Sequence, residues 1–418
     1  MRSPLFDALN KKAEHLSFHT PGHNGGIVID SRLDITELSY SDNLLSSEGV
    51  ILESEREVAK AYGVEGVLFS TSGATALIHT VVRALRNRGE FLLLGEIHKS
   101  VYNALRINGV SATLYRGKNL REALEKSGAK VVIVTSPNYF GMVKDLESIA
   151  KEVESAGAIL VVDASHGAHF AFSTLLPDSA TKYAHLVIHS QHKVMKTLTG
   201  GATLAYQKKY EKELLRAFRE IHTTSPSYLT MLSIESATKE LCERGEDLFK
   251  RVQESVKDFT LSLVGTPYSV VKTDDFSRLV VKCPTYGDFV EAELEKRGIY
   301  AETIYGDSIV FIVTPYNHHN LVALSNALRE IEVEKKIVDE IVFPKEEEYV
   351  KLTLSGECEE VPLEESVGMV SYGEVGLYPP GTPIITRGEK ISSQKVEFLK
   401  EHFKNVFGLE NGRILVLK

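Results

Sequence analysis

The sequence predicts an α/β fold: a mainly parallel sheet, then a smaller α+β domain and a C-terminal subdomain. Two patterns predict the first part. Short, partly β-branched apolar runs recur at GVLFS (66–70), FLLLG (91–95), KVVIVT (130–135), AILVVD (158–163), HLVIHS (185–190) and GATLAY (201–206). Each is flanked by polar residues or glycine, as buried parallel strands are. Helix-like segments separate them, among them 74–89 and 144–157, the second ending at Gly157, and alternating β and α elements imply a sheet covered on both faces. A third pattern marks the change of domain: a long helical stretch over 227–264, after which the strand-like runs VVKTD, RLVVKC and SIVFIVT are spaced as in a smaller domain.

Taken in order, residues 1–45 mix turn signals with short apolar pieces and are expected to form an arm. Residues 46–257 form the large domain, 258–345 the small α+β domain and 346–418 the C-terminal subdomain. The last holds a Pro/Gly-rich turn (YPPGTP, 378–383), a helix candidate over 392–408 and a terminal apolar run, RILVLK. No internal repeat stands out.

Composition narrows the function classes. The 418 residues are 43% hydrophobic and 25% charged, with net charge −9 at pH 7. An acidic chain of this kind does not attract phosphate backbones, so nucleic acid is not an expected partner. No run of about 18 apolar residues suggests a membrane span, and the N-terminal stretch lacks the apolar core of a signal peptide. Cys242, Cys283 and Cys358 are odd in number and widely spaced. They suggest neither a disulfide framework nor a metal site, and a reducing cytoplasm is expected.

Ligands of α/β sheets sit beyond the carboxyl ends of the strands, and four groups of residues fall there. STSGATA (70–76) follows GVLFS; its small residues and helix start suit an anion, with Ser72 and Thr75 as hydroxyl donors, although an ordinary strand-to-helix turn has the same composition. Asp163 closes AILVVD. A carboxylate at a buried strand end needs a partner: a protonated pyridine nitrogen, a helix N-terminus or a salt bridge. His189-Ser190-Gln191-His192-Lys193 follows the next strand. Burial lowers a lysine pKa and makes its amine nucleophilic; Lys196 is the rival, and a surface lysine the plain alternative. His98, after FLLLG, suits either stacking on an aromatic ring or a structural role. An acid for a ring nitrogen on one strand, followed about thirty residues later by a reactive lysine, is the order found in pyridoxal-phosphate (PLP) enzymes.

These residues resemble the Orn/Lys/Arg decarboxylases, PLP-dependent enzymes of the aminotransferase (type I) fold. HTPGHNGG (19–26) resembles the family's PGHKGG arm and DITEL (34–38) its D-x-T-E-L/I segment. STSGATA resembles the phosphate loop, HKSVYNAL (98–105) the ring-stacking histidine helix and SPNYFGMVKDL (136–146) the P-x-Y-Y-G turn. DASHGAHF (163–170) resembles DEAHGAHF and SQHK (190–193) S-x-H-K; TTSPSYLTMLSIESA (223–237) and YPPGTP complete a set in the family's order.

The resemblance implies roles. Lys193 would carry the cofactor, Asp163 would face its pyridine nitrogen, His98 would stack on its ring and His166 would lie beside the cofactor or its phenolic oxygen. Ser72, Gly73, Ala74, Thr75 and Ser190 would cradle the phosphate, with His192 at phosphate or substrate carboxylate. Thr224 and Ser225 would reach a phosphate in the neighbouring subunit, so a homodimer or larger homo-oligomer is expected. The implied reaction is decarboxylation of arginine, lysine or ornithine to the amine and CO₂. The cationic side chain would need an acid: Glu302, with Glu37 and Asp42 of the arm as rivals, each of which could equally be a surface or structural acid.

Among the departures from the family, one follows Asp163 and one lies in the arm. Ala164 stands where it has glutamate, and Asn24 where it has lysine. The chain resembles the short subgroup, without a receiver-like N-terminal domain or a long C-terminal region. Aldol cleavage or elimination on the same cofactor, and PLP binding without turnover, are the competing functions. Polyamine synthesis and acid resistance remain open as physiological roles.

Overall fold

The computed structural model describes residues 16–19, 23, 33–333, 346–352, 356–377, 381–401 and 406–418. Most of the HTPGHNGG motif, including Asn24, and the first half of YPPGTP lie outside the described residues.

The strands run, in chain order, β1 (Leu16–Ser17), β2 (Gly66–Ser70), β3 (Phe91–Leu94), β4 (Ala112–Tyr115), β5 (Val131–Thr135), β6 (Ile159–Asp163), β7 (Leu186–His189) and β8 (Ala202–Tyr206). Then come β9 (Ser269–Val271), β10 (Arg278–Lys282), β11 (Ile299–Tyr300), β12 (Thr303–Tyr305), β13 (Ser308–Ile312), β14 (Tyr349–Lys351), β15 (Cys358–Pro362), β16 (Val375–Leu377), β17 (Pro383–Ile385), β18 (Val406–Phe407) and β19 (Arg413–Leu417).

Eight of them form the large sheet, in the order β14-β4-β3-β5-β6-β7-β8-β2. Strands β3 to β7 are mutually parallel, and the helices between them, such as Lys99–Asn108 and Leu146–Ser155, carry the chain back. Their apolar runs are long because both faces of a parallel sheet are covered. One expectation fails here. GATLAY, grouped with the parallel strands, is β8 and runs antiparallel to both neighbours. No crossover helix separates it from β7, only a short 3₁₀ turn over Gln191–Lys193, and a parallel return needs a long crossover. The reversal holds the SQHK residues at the carboxyl ends of the parallel strands.

Two strands of this sheet were not expected. β4, ATLY, makes no continuous apolar run, and β14 comes from the expected C-terminal subdomain yet pairs antiparallel with β4 at the sheet edge.

The long helical stretch is the helix Tyr228–Ser262, started by the Ser227 hydroxyl, which accepts from the Thr230 N–H. Beyond it lies an antiparallel sheet, β12-β13-β10-β9. The arm is fastened to this part: β1 pairs with β11, and the N–H of Phe18 donates to the Tyr300 carbonyl while the Phe18 carbonyl accepts from Ile312. Phe18 is fully buried against the edge of Phe311.

The chain's tail has its own core, including Leu363, Val375, Ile385, Leu399 and Val416. The helix expected over 392–408 is shorter, Ser393–Glu401, and Val406–Phe407 pairs with β16 instead. An ionic chain, buried at Glu389 and Lys395 and exposed at Glu346, joins this tail to the large domain: Arg116 contacts Glu346 at 3.2 Å and Glu389 at 3.7 Å, and Glu389 also holds Lys395 at 2.5 Å.

A second buried acid has a measurable consequence. Glu55, in the helix Val50–Tyr62, accepts from the Phe69 N–H and is 3% exposed. Burial pushes its carboxyl up to about 8, although that bond and the Ser47 hydroxyl oppose the shift. The folded state therefore binds one more proton than the unfolded chain between the ordinary glutamate value and about 8. Stability from this group is complete at the acid end of that window and is lost as pH rises through it. Glu55→Gln should thus gain stability over the parent by up to about 1.4 kcal/mol per pH unit across the window, and no further above it. Thermal midpoints of both proteins at several pH values test this; a gap that does not change with pH would rule it out.

Candidate active site

The candidate residues converge where the strands end. Asp163, the last residue of β6, is 3% exposed. Its Oδ1 accepts from the Ser165 N–H at 3.1 Å and the Ser165 hydroxyl at 2.5 Å. Among the described residues no cationic side chain lies within ion-pair distance of it. Ala164, the departure from the family, is buried, and its N–H donates to the Ile188 carbonyl.

Lys193 ends the 3₁₀ turn after β7. Its Nζ lies 3.0 Å from His166 Nε2. Desolvation lowers its pKa; the negative charges of Asp163 and Glu302 oppose this, and Arg278 adds to it. The rival Lys196 turns elsewhere, its Nζ over the Tyr316 ring at 5.3 Å from the centroid.

His98 is the N-cap of the helix Lys99–Asn108. Its Nδ1 accepts from the Ser100 N–H at 3.2 Å, which leaves the proton of the neutral ring on Nε2. Burial pulls its pKa down to about 4 against the pull of Asp163, with Lys193 and Lys99 adding to the depression. His98, Asp163 and Lys193 thus feel one another's charges.

His192 contacts the Gly201 carbonyl through Nδ1 at 3.2 Å and the Ser190 hydroxyl at 3.4 Å. A carbonyl only accepts, so Nδ1 carries the proton. His23, from the arm, lies close enough for its charge to act on His192, which brings part of the arm to the site mouth within one chain.

The STSGATA loop begins the helix Gly73–Leu85. The N–H of Gly73 donates to the Gly200 carbonyl at 2.8 Å, which ties the loop to the turn before β8. Ser72 sits at the N-cap and makes no capping bond. The first-turn N–H groups of Ala74 and Thr75 therefore receive no bond from the N-cap side chain. Gly200 is required here: its φ is +89° and a Cβ would meet the Thr71 carbonyl at 2.9 Å.

The three acids separate. Glu302, between β11 and β12, accepts from the Tyr139 hydroxyl at 2.7 Å and acts on both Lys193 and His192. Asp42 is engaged within its own chain: its carboxylate accepts from the N–H groups of Asn43, Glu48, Gly49 and Ile51, organising the start of the next helix. Glu37 accepts from the Thr36 hydroxyl and lies on the arm loop, outside the cluster around Lys193. Thr224 and Ser225 are exposed between two helices, also outside that cluster.

Sequence reasoning missed Arg278 and Tyr139. Arg278 opens β10, is 1% exposed, and donates from Nη2 to His166 Nδ1 at 2.8 Å. Its neighbour Asp275 meets His169 Nε2 at 3.3 Å. A charged residue opening a strand otherwise buried was the available signal. Tyr139 lies edge-on to the His166 ring at 5.0 Å.

A family model described as "Orn/Lys/Arg decarboxylase, major domain" matches residues 3–116 and 109–264. The chain belongs to the Orn/Lys/Arg decarboxylases. The family's C-terminal domain model matches residues 333–408 of this decarboxylase. It is 27% identical to an arginine decarboxylase of Bacillus subtilis (strain 168), covering 97% of this chain and 94% of that one. It is also 27% identical to an arginine decarboxylase of Bacillus anthracis, over 96% and 93% of the two chains. Lysine decarboxylase A from Pseudomonas aeruginosa shares its fold, with a TM-score of 0.76 at 16% identity, covering 99% of this chain and 80% of that one. The decarboxylase therefore has the type I PLP-enzyme architecture and acts as an amino-acid carboxy-lyase on a basic amino acid. Among the described residues no helix is long and apolar enough to cross a membrane.

Proposed function

We propose that this decarboxylase holds pyridoxal phosphate on Lys193 and converts arginine to agmatine and CO₂. The observation that carries the cofactor assignment is the buried Asp163 carboxylate, which has no cation of its own among the described residues and lies within electrostatic reach of Lys193. A pyridinium is the partner such a carboxylate needs. The other donors suit the same group: Ala74 and Thr75 N–H with Ser190 for the phosphate, His98 for the ring face and His166 for the phenolic oxygen. Bound there, pyridoxal phosphate would supply an electron-withdrawing ring that accepts the electron pair left by the departing carboxylate.

The chain's own residues do the rest. Lys193 offers an amine in a desolvated setting where the uncharged form is favoured. Asp163, fixed by Ser165, holds negative charge at the strand end. Glu302, fixed by the Tyr139 hydroxyl, offers a carboxylate to a cationic side chain in a place shielded from water. Arginine is favoured because the relatives named arginine decarboxylases align over nearly the whole chain.

A homodimer is part of the proposal. Thr224 and Ser225 lie on an exposed loop, and large apolar side chains are exposed at Leu232 on the following helix and at Leu38 and Tyr40 of the arm, which Tyr228 fastens through the Asp42 carbonyl. We place the protein in a reducing cytoplasm, where Cys242, Cys283 and Cys358 remain free thiols.

The deciding experiment is CO₂ release by purified protein with added PLP, using arginine, lysine, ornithine and two neutral amino acids. Arginine should be the best substrate. Release from neutral amino acids alone, or from none, would refute the proposal. Glu302→Gln should raise KM for the basic substrate about 10- to 100-fold, the worth of one charged hydrogen bond, and change kcat less.

A further inference from the structure

We propose that Arg278 fixes His166 in the tautomer with its proton on Nε2, and that this arrangement requires Lys193 to be an uncharged amine. The argument is one of hydrogen-bond polarity. A guanidinium has donors only. Arg278 Nη2 is 2.8 Å from His166 Nδ1, so Nδ1 must be the acceptor. A neutral imidazole that accepts through one nitrogen carries its proton on the other. That nitrogen, Nε2, lies 3.0 Å from Lys193 Nζ. An ammonium has three donors and no lone pair. With Lys193 charged, two N–H groups would face each other across that contact. With His166 doubly protonated, the clash would fall at Arg278 instead. Only an Arg⁺, neutral His and neutral Lys sequence satisfies both contacts.

The surroundings hold the sequence in place. His166 is 6% exposed, and its pKa is lowered by burial and then by Lys193 and Arg278, with His98 and His192 adding to this. Around Lys193, Asp163 on β6 and Glu302 before β12 favour the ammonium, whereas burial and the Arg278 charge oppose it. Arg278 cannot swing away easily. Gly141, at φ +81°, packs on its aliphatic stem so closely that a Cβ there would lie 2.7 Å from Arg278 Cβ. The Asp275 N–H donates to the Gly141 carbonyl, and the Arg278 N–H to that of Asp275. Asp275, shared with His169, supplies the counter-charge. Arg278 is thus a positioning residue: it acts on the reactive amine through His166, and Lys193 meets an aldehyde already in its nucleophilic form. This holds whichever amino acid the enzyme decarboxylates.

The test uses the full-length chain freed of cofactor and labelled with ¹⁵N-histidine, with the His166 signals assigned from their loss in His166→Gln. The expected spectrum at neutral pH shows Nε2 protonated and Nδ1 bare. In parallel, the pH dependence of amine labelling at Lys193, read by peptide mass spectrometry, should have its midpoint below that of the surface lysines. Arg278→Met should move this midpoint up by about one pH unit or more, and Arg278→Lys, also a pure donor, should restore it. A proton on Nδ1 in the parent protein overturns the proposal, and so does a labelling midpoint unchanged in Arg278→Met. Should that variant not fold, the parent spectrum still decides. Neither readout depends on CO₂ release, so failure here is distinct from failure of the substrate assignment.

Discussion

Lys193→Ala should yield a folded protein that binds pyridoxal phosphate weakly and reversibly and releases CO₂ on the order of 10³-fold more slowly, or not measurably. The effect is large because the proposed function makes this amine the covalent attachment point, and Lys196, the rival, sits over Tyr316 instead. Borohydride fixation of the cofactor followed by peptide mapping makes the test specific. The label should fall on the peptide containing Lys193 in the parent protein, persist in Lys196→Ala and vanish in Lys193→Ala. A label that maps to Lys196 would dismiss the assignment.

Asp163→Asn should keep the cofactor linked to Lys193 yet slow turnover by about 10³-fold, the range seen when a charge-stabilising group is removed from a site shielded from water. Asparagine preserves the shape and can still accept from Ser165; what it loses is the negative charge. Stability supplies the control. In the cofactor-free chain Asp163 is a buried charge with no cationic partner among the described residues, so its removal should leave thermal stability unchanged or raised. If Asp163 instead served to hold the fold, the substitution would lower the melting temperature of the cofactor-free protein, and the functional argument would lose its basis.

Much of this site was legible in the sequence, for a definite reason. Strand ends of a parallel sheet are local features, visible as apolar runs that stop at a polar residue. Asp163 closes one such run, Lys193 follows another and His98 a third, and the fold gathers those ends on one edge of the sheet. Periodicity located the runs but carried no direction. GATLAY has the composition of a buried parallel strand, yet β8 is antiparallel because no helix precedes it to carry the chain back. Ala112–Tyr115 is as long as β3, but its residues, ATLY, make no continuous apolar run, and the four backbone donors that engage Asp42 could be seen only in three dimensions.

The sequence by itself determined the order of chemically competent residues along the chain, and hence the family; the cofactor and the lysine that carries it are proposals built on that order. Tertiary structure alone decided their electrical state. Arg278 reaches His166 across 112 residues of chain, and Tyr139 reaches Glu302 across 163. Such contacts have no signature in spacing, because they form when the small domain folds against the sheet edge. Yet they set which ring nitrogen bears a proton and which acid faces the lysine, since donor and acceptor roles are fixed by neighbours in space.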